Sequence, residues 1–120
     1  MQYSTIKSPL EFKRIMKECN HRVQSTSFIA LFNFLEDKLE STECQFGVTV
    51  SKKIGNAVTR NKQKRRIRNL LRDVALVQIK QPVELVVIAR VAINRRTFSQ
   101  LKSEIKFIAH KINEEVNGLC

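Results

Sequence analysis

Tryptophan is absent and tyrosine occurs once, so the aromatic content of this 120-residue chain is almost entirely its seven phenylalanines. Glycine occurs three times and proline twice, which leaves no linker-like or low-complexity stretch. No apolar run is long enough to span a bilayer, and no lipidation motif is present. Met1 to Lys17 holds no uninterrupted apolar core of the kind a secretory signal needs. Cysteine occurs only at Cys19, Cys44 and Cys120, an odd number at wide spacing. That excludes the usual metal-ligand patterns and fits reduced thiols in a cytoplasmic protein. The most telling shortage is acid. Eleven Asp and Glu stand against 22 Lys and Arg, for a formal net charge of +11, and none lies between Cys44 and Arg72.

A chain of this length suits one domain, residues 1–120, around one modest core. Its pI of about 10.1 lies in the range of nucleic-acid binders. An anionic membrane is the rival partner, but no basic amphipathic helix with exposed aromatics is apparent, so no membrane association is expected.

Ser8-Pro9-Leu10-Glu11 reads as a helix start, with Ser8 as cap, Pro9 in the first turn and Glu11 closing a capping box. Phe12, Ile15, Met16 and Cys19 follow at helical spacing, and Asn20 fits a left-handed terminator. His21 to Gln24 reads as a short strand. Ser27 to Phe34 is rich in strand formers. Phe28, Ala30, Phe32 and Phe34 share one face, and Ile29, Leu31 and Asn33 the other. Glu36 to Glu43 reads as a polar connection. Phe46, Val48 and Val50 then alternate with Gly47, Thr49 and Ser51, the pattern of a half-buried strand. A basic helix is expected over about Ala57 to Val77, with Ile67, Leu70, Leu71 and Val74 facing the core. Leu85 to Ala89 follows as a strand and Arg90 to Arg96 as a loop. A last helix begins near Thr97 or Phe98, with Phe98, Leu101, Ile105, Ile108, Ile112 and Val116 on one face. The order α-β-β-β-α-β-α predicts an α+β two-layer sandwich, a mostly antiparallel sheet covered on one side by helices.

On the basic helix, Asn61, Arg65, Arg68 and Arg72 fall on one flank of the apolar stripe, and Lys62, Arg66 and Asn69 on the other. Arg60 and Lys64 lie nearly in line with Ile67 but earlier. Apolar contact beginning only at Ile67 would leave the first half projecting past the core. Like charges at i,i+4 destabilise a helix unless something neutralises them. An extended polyphosphate does so best, with each neutralised phosphate releasing a counterion. Asn61 is suited to a ribose or base, and the arginines to bidentate phosphate contacts. In the preceding turn, Gly55 permits a tight bend, and Lys53 and Asn56 face an anion or hydrated metal near the helix N-terminus. This turn lacks the spacing of a phosphate-cradling P-loop.

Lys52-Lys53-Ile54-Gly55-Asn56-Ala57-Val58, followed by Arg60-Asn61-Lys62-Gln63-Lys64-Arg65-Arg66-Ile67-Arg68, resembles the signature of the bacterial ribonuclease P protein subunit. The resemblance extends to Leu10 to Arg14, Phe28 to Leu31 and Val86 to Arg90. It implies a partner RNA that carries out magnesium-dependent removal of the 5′ leader from precursor tRNA, with magnesium bound mainly by the RNA. It implies that Arg60, Asn61, Lys64, Arg65 and Arg68 face that catalytic RNA, and that Lys53 and Asn56 lie near the leader and the metals. It places Phe12, Met16, Ile29, Leu31, Thr49 and Ser51 in a cleft for the single-stranded leader. It also implies a left-handed strand–helix–strand crossover, where chain physics alone favours the right-handed one. Met16 and Leu31 stand where many relatives carry aromatics.

Alternation supports the cleft independently. With phenylalanines and valines filling one sheet face, the mixed face of Ile29, Leu31, Thr49 and Ser51 suits packing against unpaired bases. Without the family, Phe12 and Met16 read as core. The alternative function is a structural ribosomal or RNA-chaperone protein of similar fold. A stand-alone nuclease is disfavoured, because His21 and His110 lie in no acid–base or metal-ligand pattern, so no catalytic or metal-ligating residue is expected. A helix-turn-helix DNA binder is disfavoured because strands flank the basic helix. No obligate protein partner is expected.

Overall fold

The computed structural model describes residues 3–6, 8–35, 44–80 and 82–118. The Glu36 to Glu43 connection, Cys120 and the side chain of Val116 lie outside these residues. Five strands form one mixed sheet: β1 (Tyr3–Thr5), β2 (His21–Gln24), β3 (Phe28–Phe34), β4 (Cys44–Thr49) and β5 (Val83–Ala89), in the order β1-β4-β5-β3-β2. β3 pairs antiparallel with β2 and with β5. β4 runs parallel to β5 and to β1. β1 was not expected, since three residues are too few to carry a readable period.

Parallel strands need a crossover, and the helical segment between β4 and β5 supplies it. α2 (Ala57–Leu70) continues through a π-helical turn, Leu71–Ala75, into α3 (Leu76–Gln78). This matches the helix expected from Ala57 to Val77. α4 (Phe98–Gly118) closes the chain. Its start is fixed by a reciprocal cap. Gln100 N–H donates to Thr97 Oγ1, while Thr97 N–H donates to Gln100 Oε1.

The strand period of two sorts the side chains. Phe28, Ala30, Phe32, Phe46, Val48, Leu85 and Val87 join Ile67, Leu70 and the α4 residues Leu101, Ile105, Ile108 and Ile112 in the main core. α1 (Pro9–Glu18) contacts β3 and β5 from the other side. Ile15, Leu31 and Val86 are its buried apolar residues, separate from the main core.

Several local expectations are corrected. Ser8 makes no side-chain cap, and Glu11 pairs with Arg14 instead of closing a capping box. Asn20 does not adopt a left-handed conformation. The chain leaves α1 extended, and Asn33 Oδ1 accepts from Asn20 N–H at 2.9 Å, so a tertiary partner replaces the local terminator. Arg90 to Arg96 contains a 3₁₀ turn, Val91–Arg95, pinned by the fully buried Ile93. α2 meets the core a turn earlier than Ile67, because Gln63 is already buried.

Candidate nucleic-acid interface

The turn entering α2 is held from both ends. Ile54 is buried, and its carbonyl accepts from Asn94 Nδ2 at 2.7 Å. Gly55 has φ 154°, a conformation side chains disfavour, and an added Cβ there would press on Thr59 at 3.0 Å. Asn56 then caps α2, its Oδ1 accepting from Thr59 N–H at 2.9 Å. Lys53 is exposed on the turn.

Beyond the cap, Asn61, Arg65, Arg68 and Arg72 are exposed, while Arg60 and Lys64 are half-buried. Among the described residues, no carboxylate lies within ion-pair distance of any Lys or Arg between residues 52 and 72. Among the described residues, the like charges of this helix therefore go unneutralised.

On the opposite sheet face, register defines three cross-strand rows: Asn33–Glu84–Gln45, Leu31–Val86–Gly47 and Ile29–Ile88–Thr49. α1 lies over the first two. Arg14 binds Glu84, and the half-buried Phe12 sets its ring directly on Gly47, where no Cβ intervenes. Leu31, in the same row and expected in the cleft, is buried. The third row stays partly open, with Ile29, Ile88 and Thr49 half-buried, Ser51 exposed beyond it and Met16 42% exposed.

Two clefts connect these parts. One of 470 Å³ brings Phe12 and Gly47 together with Lys64 and Arg68 of α2. Another of 320 Å³ brings Ser51 and Lys53 together with Thr26 and Arg90 at the ends of β4 and β5. Phe12 thus meets Lys64 and Arg68 in one cleft, and Ser51 meets Lys53 in the other, whereas Met16, Ile29, Leu31, Thr49, Asn56 and Arg60 line neither. Asn61 and Arg65 line neither of these two clefts. Sequence reasoning missed Ile88 and did not assign Arg90 a site role. From Leu85 to Ala89 β5 is apolar on both faces, which hides the alternation that marks Ile88 as cleft-facing.

Magnesium prefers octahedral oxygen coordination from carboxylates, phosphates and water. Among the described residues no group of three His, Cys, Asp or Glu side chains could hold a metal ion. Near Lys53 the candidate donor, Asn56 Oδ1, already caps α2. These residues do not fit a protein-held magnesium site. Among the described residues, no helix is long and apolar enough to cross a membrane. Among the described residues Cys19 and Cys44 form no disulfide, and burial pushes the Cys44 thiol up.

Comparison with known proteins gives a consistent result. The family model for Ribonuclease P matches residues 2–113. A ribonuclease P protein component from Streptococcus pneumoniae is 37% identical over 117 residues, spanning 94% of this chain and 89% of that protein. The RNase P protein from Thermotoga maritima superposes with a TM-score of 0.75 at 25% identity, over 91% of this chain and 97% of that one. A Staphylococcus aureus RNase P protein mutant with defective mRNA degradation activity superposes with a TM-score of 0.73 at 32% identity. That match covers 92% of this chain and 87% of the mutant.

Proposed function

This chain belongs to the ribonuclease P protein family, and on that premise we propose that it is the protein subunit of a ribonuclease P holoenzyme. Its role is in tRNA processing, as part of an endoribonuclease that works with the ribonuclease P RNA. The RNA carries out hydrolysis, with magnesium held mainly by RNA phosphates, and the isolated protein is inert towards RNA. Arg60, Asn61, Lys64, Arg65 and Arg68 contact the catalytic RNA. Precursor tRNA enters with its 5′ leader along the open row of Ile29, Ile88 and Thr49, past Phe12 and Met16, towards Ser51, Lys53 and Asn56. The protein acts in the cytoplasm.

One observation carries this reading. Lys64 and Arg68 of the basic helix line the same 470 Å³ cleft as Phe12 of α1. A strand lying beside α1 therefore meets a surface that also grips phosphate, so one RNA can be passed to the other.

Reconstitution tests the proposal. The protein is combined with a bacterial ribonuclease P RNA, and 5′ processing of precursor tRNA is assayed at low magnesium. Cleavage should exceed that by RNA alone, and protein alone should release no leader. Equal cleavage with and without the protein would reject the assignment.

A further inference from the structure

A groove of 360 Å³ lies between the α2–α3 segment and α4, on the sheet side away from α1. Its floor is apolar, built from the buried Leu70 and Val74 with the exposed Val77 at the rim, and its volume falls in the range of sites that take a small organic group. Phe98 stands at its mouth, 51% exposed, with the Arg66 guanidinium 5.9 Å from the ring centroid. Lys102 and Lys106 line the wall, one and two turns along α4 from Phe98. Asp73 is the single acid in the lining.

We propose that this groove binds an unpaired nucleotide of RNA, with Phe98 stacking the base and Arg66, Lys102 and Lys106 holding the adjacent phosphates. The site is separate from the leader cleft, which lies across the sheet. It is also separate from the Asn61, Arg65 and Arg68 flank. Arg66 faces the other way, together with Lys62 and Asn69 at i−4 and i+3, and these two are exposed. The basic surface of α2 therefore continues past Phe98 onto α4.

The chemistry favours a nucleotide over the other occupants of an apolar groove. An exposed aromatic flanked by a guanidinium is a flat, cationic platform, and every base presents a π-face to it. Three cations against one carboxylate select a polyanion. A second copy of this chain would bring its own net charge of +11 to the same strip, and the two would repel. The 1–3 kcal/mol that stacking contributes per base corresponds to a change of about five- to over a hundredfold in affinity.

The absence of tryptophan from the chain makes the site directly readable. In full-length Phe98→Trp, a short oligoadenylate should quench the introduced indole as it stacks. In the same background, Lys102→Gln with Lys106→Gln should weaken binding and lower the log–log salt slope by about 1.4, roughly 0.7 for each lost single-strand phosphate contact. Unlabelled catalytic RNA or precursor tRNA should displace the oligonucleotide, and whichever does so is the source of the bound nucleotide. Absence of quenching while anisotropy shows the oligonucleotide bound overturns the proposal, as does displacement by neither RNA. A doubling of mass in sedimentation that Phe98→Ala abolishes also overturns it, assigning the groove to self-association. Quenching by the oligonucleotide and its salt slope do not depend on 5′ processing at low magnesium, so on those readouts the two proposals fail independently, and only the displacement arm rests on the proposed function.

Discussion

Arg14 on α1 and Glu84 on β5 meet fork to fork, Nη1 to Oε1 at 3.2 Å and Nη2 to Oε2 at 2.7 Å. Asn33 Nδ2 donates to Glu84 Oε1 as well, and Asn33 Oδ1 takes the Asn20 N–H at the end of α1. Glu84, and after it Glu11, holds the Arg14 guanidinium more firmly protonated than usual. This cluster clamps one end of α1 to the sheet while Phe12 rests on Gly47 at the other. Together they set how far α1 leans over the open row of Ile29, Ile88 and Thr49.

Replacing Arg14 with Met removes the cation from a carboxylate whose side chain is only 6% exposed. Denaturant unfolding should register a loss of about 1–3 kcal/mol. Arg14→Lys should recover part of it, because an ammonium cannot make the parallel pair of bonds. Wild-type stability in Arg14→Met would mean that the clamp is only a surface contact.

Gly47→Ala tests the other end. An added Cβ would stand 2.5 Å from Phe12 Cε1 and closer still to Cζ, so the ring must leave the sheet. Overpacking of this kind costs about 1–3 kcal/mol. The double variant Gly47→Ala with Phe12→Leu should recover stability, since a smaller side chain vacates the space. Additive losses in the double variant would show that the two residues do not press on each other.

Much of this arrangement was legible in the sequence because it follows from period. The alternation in β3 and β4 separated the core face from the cleft face. The acid-free run from Cys44 to Arg72 marked α2 as a strongly cationic helix, and its stripe located the core contact to within a turn. What escaped depends on distant partners. Gln63 is polar, yet it is buried because it reaches the 3₁₀ turn after β5, where Asn94 lies 3.5 Å from its Nε2. Asn20 looked like a local terminator, but Asn33, on a different element, decides its conformation. Leu31 belongs to the cleft face by alternation and is nonetheless covered, because only the fold reveals where α1 crosses.

Arg65→Ala with Arg68→Ala should leave the fold intact, since both side chains are exposed. Binding to the catalytic RNA should weaken, and its salt dependence should flatten. Each phosphate contact removed lowers the log–log slope by roughly 0.7–0.9. Filter binding across a salt series reads this directly. An unchanged slope in the folded double variant would remove this flank from the RNA interface.

Glu104 provides a pH test. It is buried between α4 and the β2–β3 turn. Burial alone would raise its pKa, but Ser27 donates through its hydroxyl and its backbone N–H, both at 2.7 Å, and Arg96 lies at 3.3 Å. The result is a carboxyl held below its usual range. Because the folded pKa is the lower one, this stabilisation is complete above the unfolded value of about 4.3. It is lost as pH falls through the folded value. Glu104→Gln should be less stable than wild type at neutral pH, and the gap should narrow as pH falls below about 4. A gap independent of pH would mean that the carboxylate charge contributes nothing here.

Met16→Phe tests the proposed leader path. Met16 is 42% exposed on α1, one helical turn after Phe12 on the same face, where a flat ring could meet a passing base. Stacking contributes about 1–3 kcal/mol per base by alanine substitution, so a gain of a few-fold in affinity is expected when a ring replaces a side chain that already packs. The gain should appear for precursor tRNA and vanish for mature tRNA, which has no leader to occupy the cleft. Binding to the catalytic RNA should not change, because Met16 lies on α1 and not on the basic helix. A response equal for precursor and mature tRNA would place the leader elsewhere. Phe12 and Met16 would then be packing residues that hold α1 to the sheet, and the open row would need a different occupant.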